Sequence, residues 1–334
     1  MHGFFENSTT RRLVTFPGLY LGLLALTLLL PLLLPLAAIV DATRWVLARR
    51  PAMALRLTTF AWIYLVGEAW ALLLLFVLGL RPREESLAAT YRAQGLWLDW
   101  NFEALRLVFD LSFEVSGSED ISPGPILVLS RHASIIDTML PGRYVVKPHG
   151  IRLRYVLKKE LLLDPALDLG GHRLPNHFID RGGNTTEELA ALRELATTMD
   201  TDEGVIIYPE GTRFSEAKRL RYIEPWRSQP DPLGDIAGSY RRVLPPRPAG
   251  TLAMIEASDA DVVVLAHRGL EGFARVSDLW SGDIVGSRID IAFWRVPRHQ
   301  IPVDRARQQL WLFELWSQVD AWVVGEVETG RPRI

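Results

Sequence analysis

The sequence contains no cysteine among its 334 residues. This excludes a disulfide framework, thiolate catalysis and any zinc site built on cysteine ligands. The chain also has no excess charge of either sign, because 37 Lys and Arg are balanced by 39 Asp and Glu, for a formal net charge of -2. Without a positive field over the molecule, nucleic acid is not an expected partner.

Charged side chains are also missing from one long N-terminal stretch. Residues 13–40, LVTFPGLYLGLLALTLLLPLLLPLAAIV, contain no Asp, Glu, Lys or Arg. That length is sufficient to cross the hydrocarbon core of a bilayer. A second apolar stretch, residues 57–80, is interrupted only by Glu68. We therefore predict that residues 1–85 form a membrane-anchoring helical segment with two apolar helices.

How these helices meet the bilayer is left open by the sequence. Arginines flank both apolar stretches, so the distribution of Lys and Arg sets no orientation. Two spanning helices are one interpretation, and a hairpin that enters a single leaflet is the other. Pro31 and Pro35 would kink a helix and favour the hairpin. Glu68 marks either a functional position in the membrane or a side chain that faces the partner helix.

From residue 86 onwards the pattern becomes that of an α/β protein. Short apolar runs such as PILVLS, GVII and DVVVLAH read as strands, and NTTEELAALRELATTM reads as a helix. Alternation of this kind predicts a mixed central sheet flanked by helices. We assign residues 86–334 to one catalytic domain of this class.

The first candidate for chemistry lies in LVLSRHASIIDTMLP, residues 127–141. On an ideal helix His132 and Asp137 would be about 140° apart, so a hydrogen bond between them requires His132 to lie at or before the helix start. Asp137 would then fix the imidazole tautomer and leave the other ring nitrogen as a base near neutral pH. The alternative is a core or capping histidine. A metal site is not predicted, because two ligands without a third do not make one.

A nucleophile for covalent catalysis is not evident, since the sequence has neither a G-x-S-x-G stretch nor a cysteine. The pair therefore suggests direct chemistry, in which His132 deprotonates a substrate hydroxyl that attacks an acyl carbonyl.

The second candidate is YPEGTRFS, residues 208–215, which follows a strand where α/β folds place ligand sites. Gly211 permits close backbone approach, Thr212 can bind a phosphate oxygen, and Arg213 can grip a phosphate with two hydrogen bonds. Glu210 would orient that arginine or contact a hydroxyl. FIDR, residues 178–181, supplies a further cation, Arg181. Taken singly, each stretch also fits a surface turn with salt bridges.

The order HASIID, FIDR and YPEGTRFS resembles the glycerolipid acyltransferase family, the lysophosphatidate and lysophospholipid acyltransferases with the H-x4-D motif. The resemblance covers about Leu127 to His267. It implies that His132 is the catalytic base and that Asp137 orients it. The substrate-binding residues that it implies are Ser134, Arg181, Glu210, Gly211, Thr212 and Arg213.

The resemblance also implies a reaction in phospholipid biosynthesis. A fatty acyl group would pass from acyl-CoA or acyl carrier protein to the free hydroxyl of a lysophospholipid, with a 1-acyl-glycerol-3-phosphate type of acceptor. No cofactor and no metal are implied, and the partners are membrane lipids, the acceptor and the acyl donor. The catalytic domain is expected to face the cytoplasm. A lipid or thioester hydrolase and a non-catalytic lipid-binding scaffold are the alternatives.

Two positions depart from the family pattern. Arg131 stands where asparagine usually precedes the histidine, and it adds positive charge beside the base or contacts phosphate. The strand VVVLAH lacks the proline that the family's fourth block carries. The second departure weakens the assignment of an acyl-binding surface.

Overall fold

The computed structural model of the chain describes residues 7–180, 185–227 and 232–326. The helices are α1 (Ser8–Ala48), α2 (Ala54–Leu78), α3 (Arg83–Phe109), α4 (Lys147–His149), α5 (Pro165–Gly171), α6 (Thr185–Thr197), α7 (Glu216–Arg227), α8 (Pro232–Ser239), α9 (Pro248–Ala257) and α10 (Arg305–Val324). The strands are β1 (Ser112–Ser116), β2 (Ile126–Ser130), β3 (Arg152–Lys158), β4 (His177–Ile179), β5 (Glu203–Ile207), β6 (Asp261–Arg268) and β7 (Arg288–Val296).

The strands form one seven-stranded sheet in the order β1-β7-β6-β2-β5-β3-β4. The central strand β2 runs parallel to both neighbours, so that Val128 pairs with Ile206 on β5 and with Val263 on β6. Strand β7 runs antiparallel to β6, with Leu265 opposite Phe293. The sheet is therefore mixed and flanked by helices, and the predicted fold class is confirmed.

The chain divides into two compact units. The first unit comprises residues 1–112, 157–181 and 279–287, and the second comprises residues 113–156, 182–278 and 288–334. The predicted boundary after residue 85 thus differs from this division, in which α3 lies in the first unit.

The reason lies in side chains that α3 directs onto α2. The indole N–H of Trp97 donates to a carboxylate oxygen of Glu68 at 2.5 Å, and Trp100 donates to the carbonyl oxygen of Ile63 at 3.0 Å. Glu68 is 1% exposed. This acidic residue in an apolar stretch therefore faces a partner helix, one of the two alternatives that the sequence left open.

Two helices of the first unit, α1 and α2, are long and apolar enough to cross a membrane by length and composition. At 1.5 Å per residue the 41 residues of α1 extend about 60 Å, roughly twice the thickness of a hydrocarbon core. The helix continues through Pro31 and Pro35. Spanning and re-entrant arrangements both remain predictions.

A buried carboxylate joins these two helices. Asp41 of α1 is 4% exposed and accepts hydrogen bonds at the start of α2 from the backbone N–H groups of Met53, Ala54 and Leu55, at 2.9, 2.9 and 2.8 Å. The first N–H groups of a helix have no partner within the helix, so Asp41 supplies the missing acceptors. The two apolar helices therefore form a capped helical hairpin.

The core of the second unit surrounds β2, β5 and β6. Leu127 and Val264 from the sheet belong to the same buried cluster as Phe313 and Trp316 of α10. Because β2 is covered on both faces, it is apolar throughout, as parallel strands in α/β proteins are. This core fixes the ends of the strands from which the candidate site is built.

Candidate active site

Three turns meet at the carboxyl ends of β2, β5 and β6. The parallel pairing of these strands brings their ends to one edge of the sheet, where α/β folds bind ligands. The turn after β2 carries His132 and Asp137, the turn after β5 carries Arg213, and the loop after β6 carries Glu271. The strand pairing therefore brings residues that are far apart in sequence to within hydrogen-bond distance of one another.

His132 and Asp137 form the hydrogen bond that their spacing allows. His132 lies in an irregular segment, and Asp137 opens the short 3-10 turn Asp137–Met139, so the backbone folds back between them. Nδ1 of His132 and Oδ1 of Asp137 are 2.8 Å apart. Oδ2 of Asp137 accepts from the backbone N–H groups of Ala133 at 2.6 Å and Ser134 at 2.7 Å.

The surroundings keep this carboxylate ionised. Burial raises the pKa of Asp137, but the charge of His132 and hydrogen bonds from His132 and His267 outweigh it and hold the pKa well below its usual value. An ionised Asp137 accepts the Nδ1–H of His132, so Nε2 carries the lone pair of a base. Nε2 has no hydrogen-bond partner among the described residues, and the His132 side chain is 17% exposed.

Two groups brace His132 from the β5 side. The ring of Tyr208 packs on the imidazole with 4.4 Å between ring centroids. The backbone N–H of Phe214 donates to the carbonyl oxygen of His132 at 2.7 Å. The imidazole is therefore held by packing as well as by Asp137.

Glu210 is a buried carboxylate that ties two backbone segments together. One oxygen accepts from the N–H of His132 at 3.0 Å and the other from the N–H of Leu244 at 2.9 Å. Burial raises its pKa to about 7, against the charge of Arg131 and these two hydrogen bonds. The sequence placed Glu210 among the substrate-binding residues, whereas the geometry favours a role in holding the base.

The turn after Glu210 presents a cation. Gly211 has a φ of +65°, and a Cβ there would lie 2.9 Å from Cδ of Arg247. Thr212 accepts a hydrogen bond from Nζ of Lys218 at 2.9 Å. One guanidinium nitrogen of Arg213 donates to the carbonyl oxygen of Ala274 at 2.5 Å, and Nε and the other terminal nitrogen have no partner among the described residues. Arg213 is thus oriented with donors to spare for an anion.

Ser134 and Arg181 complete the set predicted from sequence. Ser134 is fully buried, donates to the carbonyl oxygen of Phe273 at 3.0 Å and accepts from the N–H of Ile136 at 3.1 Å. It therefore fastens the base-bearing turn to the loop after β6. Arg181 lies outside the described residues.

Arg131 is buried and paired, so it is not available to bind phosphate as the sequence suggested. It donates to the carbonyl oxygens of His267 at 2.7 Å and Arg242 at 2.8 Å, and to a carboxylate oxygen of Glu271 at 2.5 Å. Burial raises the pKa of Glu271, but Arg131 and His267 outweigh it and the pKa is lowered. The positive charge added beside the base is therefore neutralised by Glu271.

His267 and Glu271 are the neighbours of the site that sequence reasoning missed. They lie 136 and 140 residues from Arg131, and only the pairing of β2 with β6 brings them to it. Within the described residues, no group of three or more His, Asp or Glu side chains is arranged to hold a metal ion.

Comparison with known proteins points to one class. Residues 112–267 match the family model Acyltransferase. The 1-acyl-sn-glycerol-3-phosphate acyltransferase of Pseudomonas aeruginosa is 30% identical over 152 residues, which are 43% of this chain and 53% of that protein. The chain thus matches about half the length of this curated relative.

A solved structure shares the fold. The 1-acyl-sn-glycerophosphate acyltransferase PlsC of Thermotoga maritima superposes with a TM-score of 0.51, covering 82% of this chain and 97% of that chain at 15% sequence identity. The match to the acyltransferase family model over residues 112–267 therefore lies within a fold that this solved structure shares. These matches support the resemblance to the glycerolipid acyltransferase family.

Proposed function

We propose that this protein is an O-acyltransferase that moves a fatty acyl group from a thioester donor to the free hydroxyl of a lysophospholipid. The observation that carries the proposal is the His132–Asp137 hydrogen bond of 2.8 Å, with Nε2 of His132 left unpaired among the described residues. The relatives described above, which are named for 1-acyl-glycerol-3-phosphate as acceptor, support an acceptor of that type.

In the proposed reaction, Nε2 of His132 removes the proton from the acceptor hydroxyl as its oxygen attacks the thioester carbonyl. The imidazolium that forms is stabilised by the Asp137 carboxylate. When the tetrahedral intermediate collapses, the C–S bond breaks and the proton passes from the imidazolium to the departing thiolate. No acyl-enzyme is formed, which agrees with the absence of cysteine and of a G-x-S-x-G stretch.

Arg213 would bind the phosphate of the acceptor. Its guanidinium is anchored at one nitrogen by Ala274 and keeps Nε and the other terminal nitrogen for two parallel hydrogen bonds to phosphate oxygens. Gly211 and Thr212 lie in the same turn, and Arg181 is proposed as a further acceptor-binding residue. Binding the charged end of the acceptor would orient its hydroxyl toward the base, so remote binding energy serves orientation.

The apolar helices α1 and α2 are proposed to anchor the chain in a membrane, where both acceptor and product reside. Their length and composition support this role. The remainder of the chain would face the cytoplasm, where acyl-CoA and acyl carrier protein are available.

The test is an acceptor panel assayed with membranes that contain the full chain. Lysophosphatidate, lysophosphatidylglycerol and lysophosphatidylcholine would each be offered with radiolabelled acyl-CoA and, separately, with acyl carrier protein as donor. We expect labelled phosphatidate with one of the donors. Release of free fatty acid without acyl transfer would instead indicate a hydrolase, and lipid binding without turnover would indicate a scaffold.

A further inference from the structure

His267 is a second histidine beside the base, and the reaction proposed above does not use it. It lies near the end of β6, where its backbone pairs with Ile291 of β7, and its side chain is fully buried. Its Nε2 lies 3.2 Å from the carbonyl oxygen of Arg131 and 3.4 Å from Oδ2 of Asp137. Both distances are long for a hydrogen bond, as expected when one N–H is shared between two acceptors.

The tautomer of His267 follows from these contacts. Nε2 faces two oxygen atoms, so it must carry the hydrogen, since a lone pair there would face a carbonyl and a carboxylate. Nδ1 is buried and has no partner among the described residues. The Nε2–H tautomer leaves Nδ1 as a bare acceptor and avoids burying an unpaired N–H.

We propose that His267 is a positioning residue for the base: its Nε2–H holds the Asp137 carboxylate so that Oδ1 faces His132. The inference rests on the proposed function, in which His132 is the base. His267 would be the third member of a hydrogen-bonded series that runs from His267 through Asp137 to His132. In this series His267 does not contact the substrate.

The distribution of donors over the carboxylate explains why a third member matters. Among the described residues, Oδ1 of Asp137 has His132 as its one polar partner, whereas Oδ2 accepts from Ala133 and Ser134 and lies 3.4 Å from Nε2 of His267. The two backbone donors lie on the same turn as Asp137 and move with it. His267 belongs to β6, so its contact with Oδ2 fixes the position of the carboxylate relative to the sheet.

The charged groups around His267 leave Asp137 as the carboxylate that accepts from its Nε2–H. On the β2 side these are Arg131, His132 and Asp137, and on the loop after β6 it is Glu271. Glu210 approaches Arg131 and His132 from the turn after β5. Arg131 is paired with Glu271, so Asp137 remains as the negative charge facing the imidazole N–H of His267.

The experiment compares His267→Gln with His267→Met. Both side chains have the same reach and similar volume, but only glutamine places an N–H where Nε2 of the imidazole lies. We expect kcat for acyl transfer to fall about tenfold in His267→Met and to stay within about threefold of wild type in His267→Gln, with the KM for lysophosphatidate unchanged in both. Equal kcat values in the two variants, or a loss confined to KM, would overturn the proposal.

A second measurement needs no turnover. Diethyl pyrocarbonate reacts with unprotonated imidazole, and the modified peptide containing His132 can be quantified by mass spectrometry across a pH series. Without a donor at position 267, the Asp137 carboxylate keeps more negative charge on Oδ1. This charge stabilises the protonated form of His132. The midpoint of modification should therefore move to higher pH in His267→Met and not in His267→Gln.

These two readouts separate failure of the inference from failure of the proposed function. If the wild-type protein transfers no acyl group, the function is wrong, and the modification profile alone decides the role of His267. Coincident profiles for wild type, His267→Gln and His267→Met would refute the positioning role even in an active enzyme.

Discussion

Asp137→Asn is the substitution that probes the base most selectively, because it changes one atom of a fully buried side chain. The new amide has two possible orientations. If its NH2 group faced Ala133 and Ser134, it would meet two backbone donors that now lie 2.6 and 2.7 Å from Oδ2. Each buried donor left unsatisfied costs about 1–3 kcal/mol, so the amide oxygen takes that side.

The NH2 group then faces Nδ1 of His132, across the 2.8 Å now spanned by the Asp137 hydrogen bond. Two donors cannot face each other, so the imidazole adopts the tautomer with its hydrogen on Nε2 and loses its function as a base. The corresponding change in serine proteases lowers kcat about 10⁴-fold, which corresponds to about 5 kcal/mol in the activation barrier. We expect a loss of the same order here.

The assay is transfer of radiolabelled acyl groups to lysophosphatidate by membranes that contain equal amounts of each variant. Asp320→Asn is the matched control, since Asp320 is likewise buried and accepts from the backbone N–H groups of Arg241, Arg242 and Val243, and no histidine of the described part of the chain pairs with it. It should retain activity within about threefold of wild type, as expected for a change outside the reacting groups. Activity of Asp137→Asn within tenfold of wild type would refute the reasoning.

Two further predictions concern the turn after β5. Arg213→Lys keeps the charge but loses the paired donors, so the KM for lysophospholipid should rise more than the KM for acyl-CoA, and an equal rise in both would contradict the phosphate assignment. Because the pKa of Glu210 is raised to about 7 from an ordinary 4.5, its protonation contributes about 3 kcal/mol that is present below pH 4.5 and lost as pH rises through 7. Glu210→Gln should therefore flatten the decline in thermal unfolding midpoint between pH 5 and 8, and an unchanged decline would contradict this assignment.

Much of the fold could be predicted because the central strands are short, continuous apolar runs. PILVLS, GVII and DVVVLAH are short apolar runs bounded by turns, and they became β2, β5 and β6. Strand β7, RIDIAFWRV, was not singled out by its sequence because polar Arg288, Asp290 and Arg295 interrupt it. Its Arg295 pairs with Asp261 at 2.7 Å, a long-range contact that no local pattern reveals.

In the candidate site, too, local features could be predicted from the sequence and long-range contacts could not. The spacing of His132 and Asp137 allowed their hydrogen bond on condition that His132 lies before the helix start, and the strand that precedes His132 made that placement plausible. The partners of Arg131 could not be predicted, since Glu271 reaches it only through the pairing of β6 with β2. Nor does a sequence reveal that the oxygens of Glu210 are taken by backbone N–H groups.

The packing of α3 illustrates a third limit. The amphipathic pattern of α3 indicates a helix but does not say what the helix packs against. Trp97 and Trp100 lie three residues apart on one face of α3 and direct their indole N–H groups to α2, but the sequence does not distinguish them from core aromatics. The sequence therefore does not reveal that α3 belongs to the same compact unit as α1 and α2.

The central claim is that one imidazole removes the proton from the acceptor hydroxyl. The most direct measurement compares acyl transfer to lysophosphatidate by the full chain in membranes with His132 present and with His132→Ala, at equal protein levels and with lysophosphatidate binding measured in parallel. We expect transfer by the wild-type protein and none above background by the variant, with lysophosphatidate still bound by both. Full transferase activity in His132→Ala would contradict it.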